Sequence, residues 1–175
     1  MRKHHHLTTL IAGATAALLL SPLAASPASA SNSYNGAAYV NGAGDAIDDL
    51  YDEGVLSTTQ NTRSNATCMW QKILWAHQLL AWNDIDGVFG EKTRDATIEF
   101  QMARKMPPDG IVGKITFKAA EDGEGGMDIN TSTNKGYYIG PLRTFAVYRD
   151  SNNSYHFYDR TGADRAAGYN YLTCA

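Results

Sequence analysis

Asp86-Gly-Val-Phe-Gly-Glu-Lys-Thr93 returns 23 positions later as Asp109-Gly-Ile-Val-Gly-Lys-Ile-Thr116. Both copies read Asp-Gly, two apolar residues, Gly, two variable residues, Thr. Asp-Gly is a turn signal, because glycine accepts the left-handed backbone that tight turns demand. Val88-Phe89 and Ile111-Val112 can anchor each turn in a core. Gly90 and Gly113 stand where a glycine can flank a helix N-terminus. Both are also expected at positive φ, where a β-branched substitute would strain the chain. After Thr93, the residues Ala96, Thr97, Phe100 and Ala103 recur at helical spacing. Each copy therefore reads as a device that turns the chain and launches a helix.

The arrangement resembles the small three-helix peptidoglycan-binding domain. That family reads roughly Leu-Gln-x-x-Leu, Asp-Gly-x-Phe-Gly-Pro-x-Thr, Ala-Val-x-x-Phe-Gln, then Asp-Gly-x-Val-Gly-Pro-x-Thr. The matching residues here are Trp70, Gln71 and Leu74; Asp86, Gly87, Phe89, Gly90 and Thr93; Ala96, Thr97, Phe100 and Gln101; Asp109, Gly110, Val112, Gly113 and Thr116. They cover about a third of the chain. Two departures stand out. Glu91 and Lys114 replace the proline that follows each second glycine, and no glycine stands near Ala81-Trp82 after the first helix. A missing proline at the first helical position weakens a helix start slightly. The resemblance implies a ligand made of glycan strands with carboxylate-bearing peptide stems.

Outward from that core, residues 1–30 read as a secretory signal peptide. Arg2 and Lys3 precede an uncharged run from Leu7 to Leu20, and Ala28-Ser29-Ala30 is a cleavage site. The run is too short for a membrane span. Without Arg2 and Lys3, 13 basic residues face 18 acidic ones, a net of −5. A mildly acidic chain is a poor nucleic-acid binder. With no second long apolar run, the product is expected to be secreted, extracellular or wall-associated, and monomeric.

Residues 31–62 are expected to be a mobile N-terminal segment with one short helix. Asp45 would cap that helix, Ile47, Leu50 and Tyr51 would form its stripe, and Gly54 would end it. Asp48, Asp49, Asp52 and Glu53 suit either a calcium site or a solvated helix face, and such charge runs are usually exposed faces. Residues 63–122 form the recognised domain, with helices over about Met69–Ala81, Glu91–Arg104 and Lys114–Ala120. Trp70, Ile73, Leu74, His77 and Leu80 line the first of them. The stretch around Gly87 fails as an EF-hand loop, since Trp82 and Thr93 would occupy the two terminal ligand positions.

Residues 123–136, rich in Gly, Asp, Ser, Thr and Asn, read as a linker. Residues 137–175 form a short β tail, with Leu142–Arg149 and Tyr155–Tyr158 as strands, Asp150–Ser154 as the turn, and Gly168–Thr173 as a possible third strand. Its seven tyrosines either stack on sugars or cover a thin core, and the second is the more usual role. Cys68 and Cys174 in an exported chain imply a disulfide that ties the tail back. A zinc site using His77 and His156 lacks any closely spaced ligand pair. The fold expected is α+β: a three-helix bundle with a short antiparallel extension.

No His-Glu-x-x-His or Gly-x-Ser-x-Gly motif is present. The reading is a secreted, non-catalytic peptidoglycan-binding protein without metal or cofactor. Alternatives are a peptide-binding or inhibitory module and an accessory lytic enzyme. Trp82, Arg94, Arg104, Lys105 and Lys114 are the candidate ligand contacts. The helix starts at Glu91–Thr93 and Lys114–Thr116 would offer backbone donors for an anion.

Overall fold

A computed structural model describes residues 36–123 and 125–174. The expected signal peptide lies outside the described residues. Three helices, α1 (Asn65–Ala76), α2 (Glu91–Ala103) and α3 (Lys114–Glu121), precede five strands: β1 (Gly126–Asn130), β2 (Lys135–Ile139), β3 (Thr144–Arg149), β4 (Tyr155–Tyr158) and β5 (Asp164–Ala166). The strands pair in sequence order as an antiparallel meander.

This corrects the expected fold. The sheet is a major part of the protein, not a short extension, and the stretch 123–136 contains β1 and the start of β2. Its polar composition conceals an alternation: Met127 and Ile129 face the core while Asp128 and Asn130 face solvent. The polar residues also build the turn, where Asn130 Oδ1 accepts from the amides of Ser132 (3.0 Å) and Thr133 (3.1 Å). Asp150 caps the β3–β4 turn in the same way, accepting from Asn152 (2.8 Å) and Ser154 (2.9 Å). Asp159 serves the β4–β5 turn, accepting from Thr161 and Ala163. Such Asx turns are why a strand-rich segment can look like a linker. The expected third strand at Gly168–Thr173 is only an isolated bridge from Gly168 to Tyr39; the outer strand is β5.

One core joins helices and sheet. Trp70 is buried with Phe100 and Phe117 edge-on to it at 5.3 and 5.6 Å, and its indole donates to Thr97 Oγ1 at 2.9 Å. Tyr138, Phe145, Val147 and Phe157 form the buried face of the sheet. Tyr138 donates to the carbonyl of Ala120 (3.2 Å) and meets His77 Nε2 at 2.8 Å. Burial, aided by the charge of Arg104, pushes the His77 pKa down to about 4, so the imidazole beside Tyr138 is a neutral ring. Lys72 crosses between layers. Its ammonium donates to the carbonyl of Tyr158 and lies 5.0 Å from the Phe145 ring and 5.3 Å from Trp82. Burial lowers its pKa to about 8.

The helix bounds shift where capping chemistry decides them. Ser64 accepts the amide of Thr67 at 3.0 Å, so α1 starts at Asn65 rather than Met69. It ends at Ala76 rather than Ala81, because Gln78 turns left-handed at φ 59°.

The N-terminal segment, as far as it is described, is docked. Val40 donates to Ala167 and accepts from Tyr155, while Leu56 bridges Val112 and Arg63 bridges Val88. Residues 45–53 form turns instead of the expected helix. Ile47 is 70% exposed, whereas Asp49 and Glu53 are buried, which overturns the solvated-face reading for those two. Tertiary partners explain the burial. Asp49 accepts from Arg149 Nη1 (3.1 Å) and Tyr155; Glu53 accepts from the Asn41 amide (2.8 Å) and Tyr169. On α3, Glu121 accepts the Leu50 amide at 3.1 Å.

Burial raises Glu53 to about 8 and Glu121 to about 7, against an ordinary 4.5. Their protonated forms are the ones the fold favours. The stability they contribute is therefore full below pH 4.5 and is lost as pH rises through 7 and 8. His77 acts oppositely, but only between pH 4 and 6.5, and Lys72 only above 8. The window from pH 6.5 to 8 is thus expected to cost roughly 1–2 kcal/mol of unfolding free energy. Urea titrations at the two pH values measure it. Glu53→Gln should flatten most of the drop; a parent equally stable at both ends would contradict the assignment.

Candidate functional site

The repeated motif is held by two buried glutamines. Gln71 Nε2 donates to Asp86 Oδ1 (2.9 Å), the Val88 carbonyl (3.1 Å) and Thr93 Oγ1 (2.9 Å), and its oxygen accepts the amides of Asp86 (3.0 Å) and Gly87 (2.7 Å). Gln101 repeats the pattern. Its nitrogen reaches Asp109 Oδ1 (2.8 Å), the Ile111 carbonyl (2.9 Å) and Thr116 Oγ1 (3.1 Å), and its oxygen accepts the Gly110 amide (2.8 Å). Asp86 and Asp109 each also accept the amide two residues on, from Val88 and Ile111, both at 2.8 Å. Each glutamine thus locks one Asp-Gly turn to the first turn of the next helix. Phe89 and Phe100 fill the core below. Gln71, Gln101, Thr93 and Thr116 are buried, and Asp86 and Asp109, though exposed, are hydrogen-bonded to the scaffold.

Gly87 and Gly110 carry the positive φ, +71° and +70°. Gly90 and Gly113 do not: φ is −89° and −112°, with extended ψ, and they are the residues that cap α2 and α3. The expectation of positive φ at Gly90 and Gly113 is corrected accordingly.

The candidate ligand residues fall in different places. Trp82, in a short 3-10 turn, is 39% exposed and packs on Trp75 at 4.9 Å. Arg94 pairs with its neighbour Asp95 at 2.7 Å on the exposed face of α2. Arg104 lies at the C-terminal end of α2, donating to the Ala119 carbonyl at 2.7 Å, with its guanidinium 5.0 Å from the Phe100 ring. Lys105 is exposed beside it, with φ 57°. Lys114 opens α3, its ammonium 5.6 Å from the ring of Tyr51.

Around Arg104 the surface opens into a cleft of about 370 Å³, lined by Tyr51, Met106, Ile115 and Lys118 among others. Lys118 lies 5.9 Å from the Tyr51 ring and pairs with Asp122 at 2.7 Å. Tyr51 and Ile115 are 47% and 72% exposed. The cleft thus combines an accessible aromatic face, an apolar shelf and three cations, Arg104, Lys114 and Lys118, against one carboxylate in its lining, Asp122, which pairs with Lys118. Tyr51, Ile115 and Lys118 were missed in the sequence. Tyr51 shares a helical spacing with Ile47 and Leu50, and nothing local says that residues 45–53 fold against α3. Trp82 and Arg94 do not line this cleft. At the start of α2 the expected anion site is surrounded by Asp84, Asp86 and Glu91, while Lys92 is taken by Asp84 at 2.6 Å. That environment repels an anion.

Residues 65–120, which run from the start of α1 almost to the end of α3, match the family model described as "Putative peptidoglycan binding domain". The resemblance drawn from the Asp-Gly repeats is thereby shown for that segment, about a third of the chain. The match stops before the sheet. Neither the curated proteins nor the solved structures yield a match to the chain.

Proposed function

We propose that the protein is secreted and holds peptidoglycan without cleaving it, through the cleft between Tyr51 and α3. The observation that carries the reading is the family match over residues 65–120 together with this cationic, aromatic-floored cleft on the same domain. Carboxylates of peptide stems would meet Lys114, Lys118 and Arg104, and a sugar ring could lie on Tyr51. Both cysteines are joined in the Cys68–Cys174 bond, so neither is available as a nucleophile. The bond itself suits an oxidising compartment. No helix among the described residues is long and apolar enough to cross a membrane.

The experiment is co-sedimentation with purified cell wall, using protein recovered from the culture medium, whose first residue should be Ser31. Tyr51→Ala and Lys118→Ala are exposed changes expected to alter stability by under about 0.5 kcal/mol. Each should weaken sedimentation by roughly tenfold if it touches the polymer at a binding hot spot. Trp82→Ala and Arg94→Ala in the same assay decide whether those residues add to the contact. Failure of the parent to pellet would favour the peptide-binding alternative, and clearing of a wall-containing gel would favour the lytic one.

A further inference from the structure

We infer that the outer face of the sheet carries a second binding site, a cleft between Tyr137 and Tyr158 that takes an uncharged saccharide chain. It rests on the wall-binding reading only for the identity of the natural polymer.

The register builds the cleft. Tyr137 on β2 faces Ala146 on β3, and one step past the Val147–Phe157 pair brings Tyr158 of β4 to the other flank of Ala146. Two strand spacings, ~10 Å, therefore separate the tyrosine backbones. The methyl of Ala146 and the backbone of Gly136 and Val147 form the floor, and the space above is about 520 Å³. Tyr137 is 53% exposed and Tyr158 45%. Alternating rings over a small floor leave room for a six-membered ring presenting its C–H face to the tyrosines and its hydroxyls to water.

Tyr148 closes one end. Its ring stacks on His156 at 4.7 Å and its hydroxyl donates to Asp164 Oδ2 at 2.6 Å. His156 Nδ1 reaches the same carboxylate at 3.2 Å and Nε2 approaches Asp150 at 3.5 Å. Lys135, opposite Tyr148, stands at the rim. Aromatic walls with a few oriented polar groups are the build of a small-ligand site.

Charge and composition select the occupant. Asp128, Asp150 and Asp164 outnumber Lys135 on this face, which disfavours an anionic polymer. Ile139, at the end of β2, is the one large aliphatic residue among the outward positions of the five strands. A stable protein interface needs roughly 800 Å² per partner with an apolar centre. A hydroxyl-rich neutral ring fits what is there.

The test is titration of the full chain with a soluble oligomer of β-1,4-linked N-acetylglucosamine, followed in ¹H–¹⁵N spectra. Saturable shifts are expected at Gly136, Ala146, Val147 and Tyr158, and not along α3. Tyr137→Ala and Tyr158→Ala should each weaken binding by about tenfold or more. Ala146→Ile, which fills the floor with a residue that favours strands, should abolish it. The parent spectrum needs no variant to fold, so the shifts decide even if one does not. No saturable shift, shifts confined to α3, or unchanged affinity in Ala146→Ile overturns the site. So does a tyrosine variant that alters only the mass in solution, since the face would then join two copies of the chain. Wall sedimentation separates the two readings: a parent that pellets with wall but ignores the oligosaccharide removes the sheet site and leaves the Tyr51 cleft standing.

Discussion

Reducing the Cys68–Cys174 bond should destabilise the protein by roughly 4–5 kcal/mol in the chain-entropy model. The bond spans a sequence separation of 106, so it removes a large share of the unfolded chain's freedom. It ties the segment after β5 to the first turn of α1. Asn65 holds the same junction without covalent help. Its Oδ1 accepts the amides of Thr173 (2.8 Å) and Cys174 (3.1 Å), and its Nδ2 donates to Ala166 (3.0 Å) and Thr173 Oγ1 (2.9 Å). The reduced protein should therefore retain the native arrangement at low denaturant and lose it early. A domain of this size has only about 5–15 kcal/mol in total. Urea titrations with and without reductant, at constant pH, measure the difference through the midpoint. A shift worth less than about 1 kcal/mol would mean that the noncovalent junction, not the bond, fixes the tail.

The helical half was legible because its signals are local. Asp-Gly turns and helical spacing lie within a few residues of what they act on. The locking roles of Gln71 and Gln101 were not legible, since they act on turns that begin 15 and 8 residues away. The sheet was half legible. Leu142–Arg149 and Tyr155–Tyr158 alternate cleanly, but β1 has only Met127 and Ile129 to mark it, amid residues that also make turns. The tyrosines were read as core cover. Tyr138, Tyr155 and Tyr169 fill that role, whereas Tyr137 and Tyr158 face outward. A strand's alternation separates the two sets once its register is known, and register depends on the partner strand. Asp49 and Glu53 show the same limit. Their burial depends on Arg149, Tyr155 and Tyr169, about a hundred residues on, and a charge run carries no mark of such partners.

Gly87→Val should be the most damaging single substitution in the repeated motif, costing about 3–5 kcal/mol. A β-branched residue at φ +71° loses roughly 1–3 kcal/mol to backbone strain. Steric conflict adds to that. A Cβ at Gly87 would stand 2.2 Å from Leu172 Cδ1, 2.9 Å from Cys174 Sγ and 3.1 Å from the Ser64 carbonyl. The disulfide and the Ser64 cap hold two of those neighbours, so overpacking adds about 1–3 kcal/mol. Gly110→Val meets the same strain at φ +70°, but its nearest neighbour is Arg94 Cγ at 2.7 Å, on an exposed side chain that can move. Its loss should be nearer 2–3 kcal/mol. Gly90→Val should cost only about 1 kcal/mol, as a poorer residue at a helix N-cap. Its φ is negative and nothing lies within 4 Å of the added carbon. Urea titrations of the three variants give the order directly. If Gly90→Val loses as much as Gly87→Val, the second glycine of the motif carries the turn, and the Gln71 lock on the first is not what holds the repeat together.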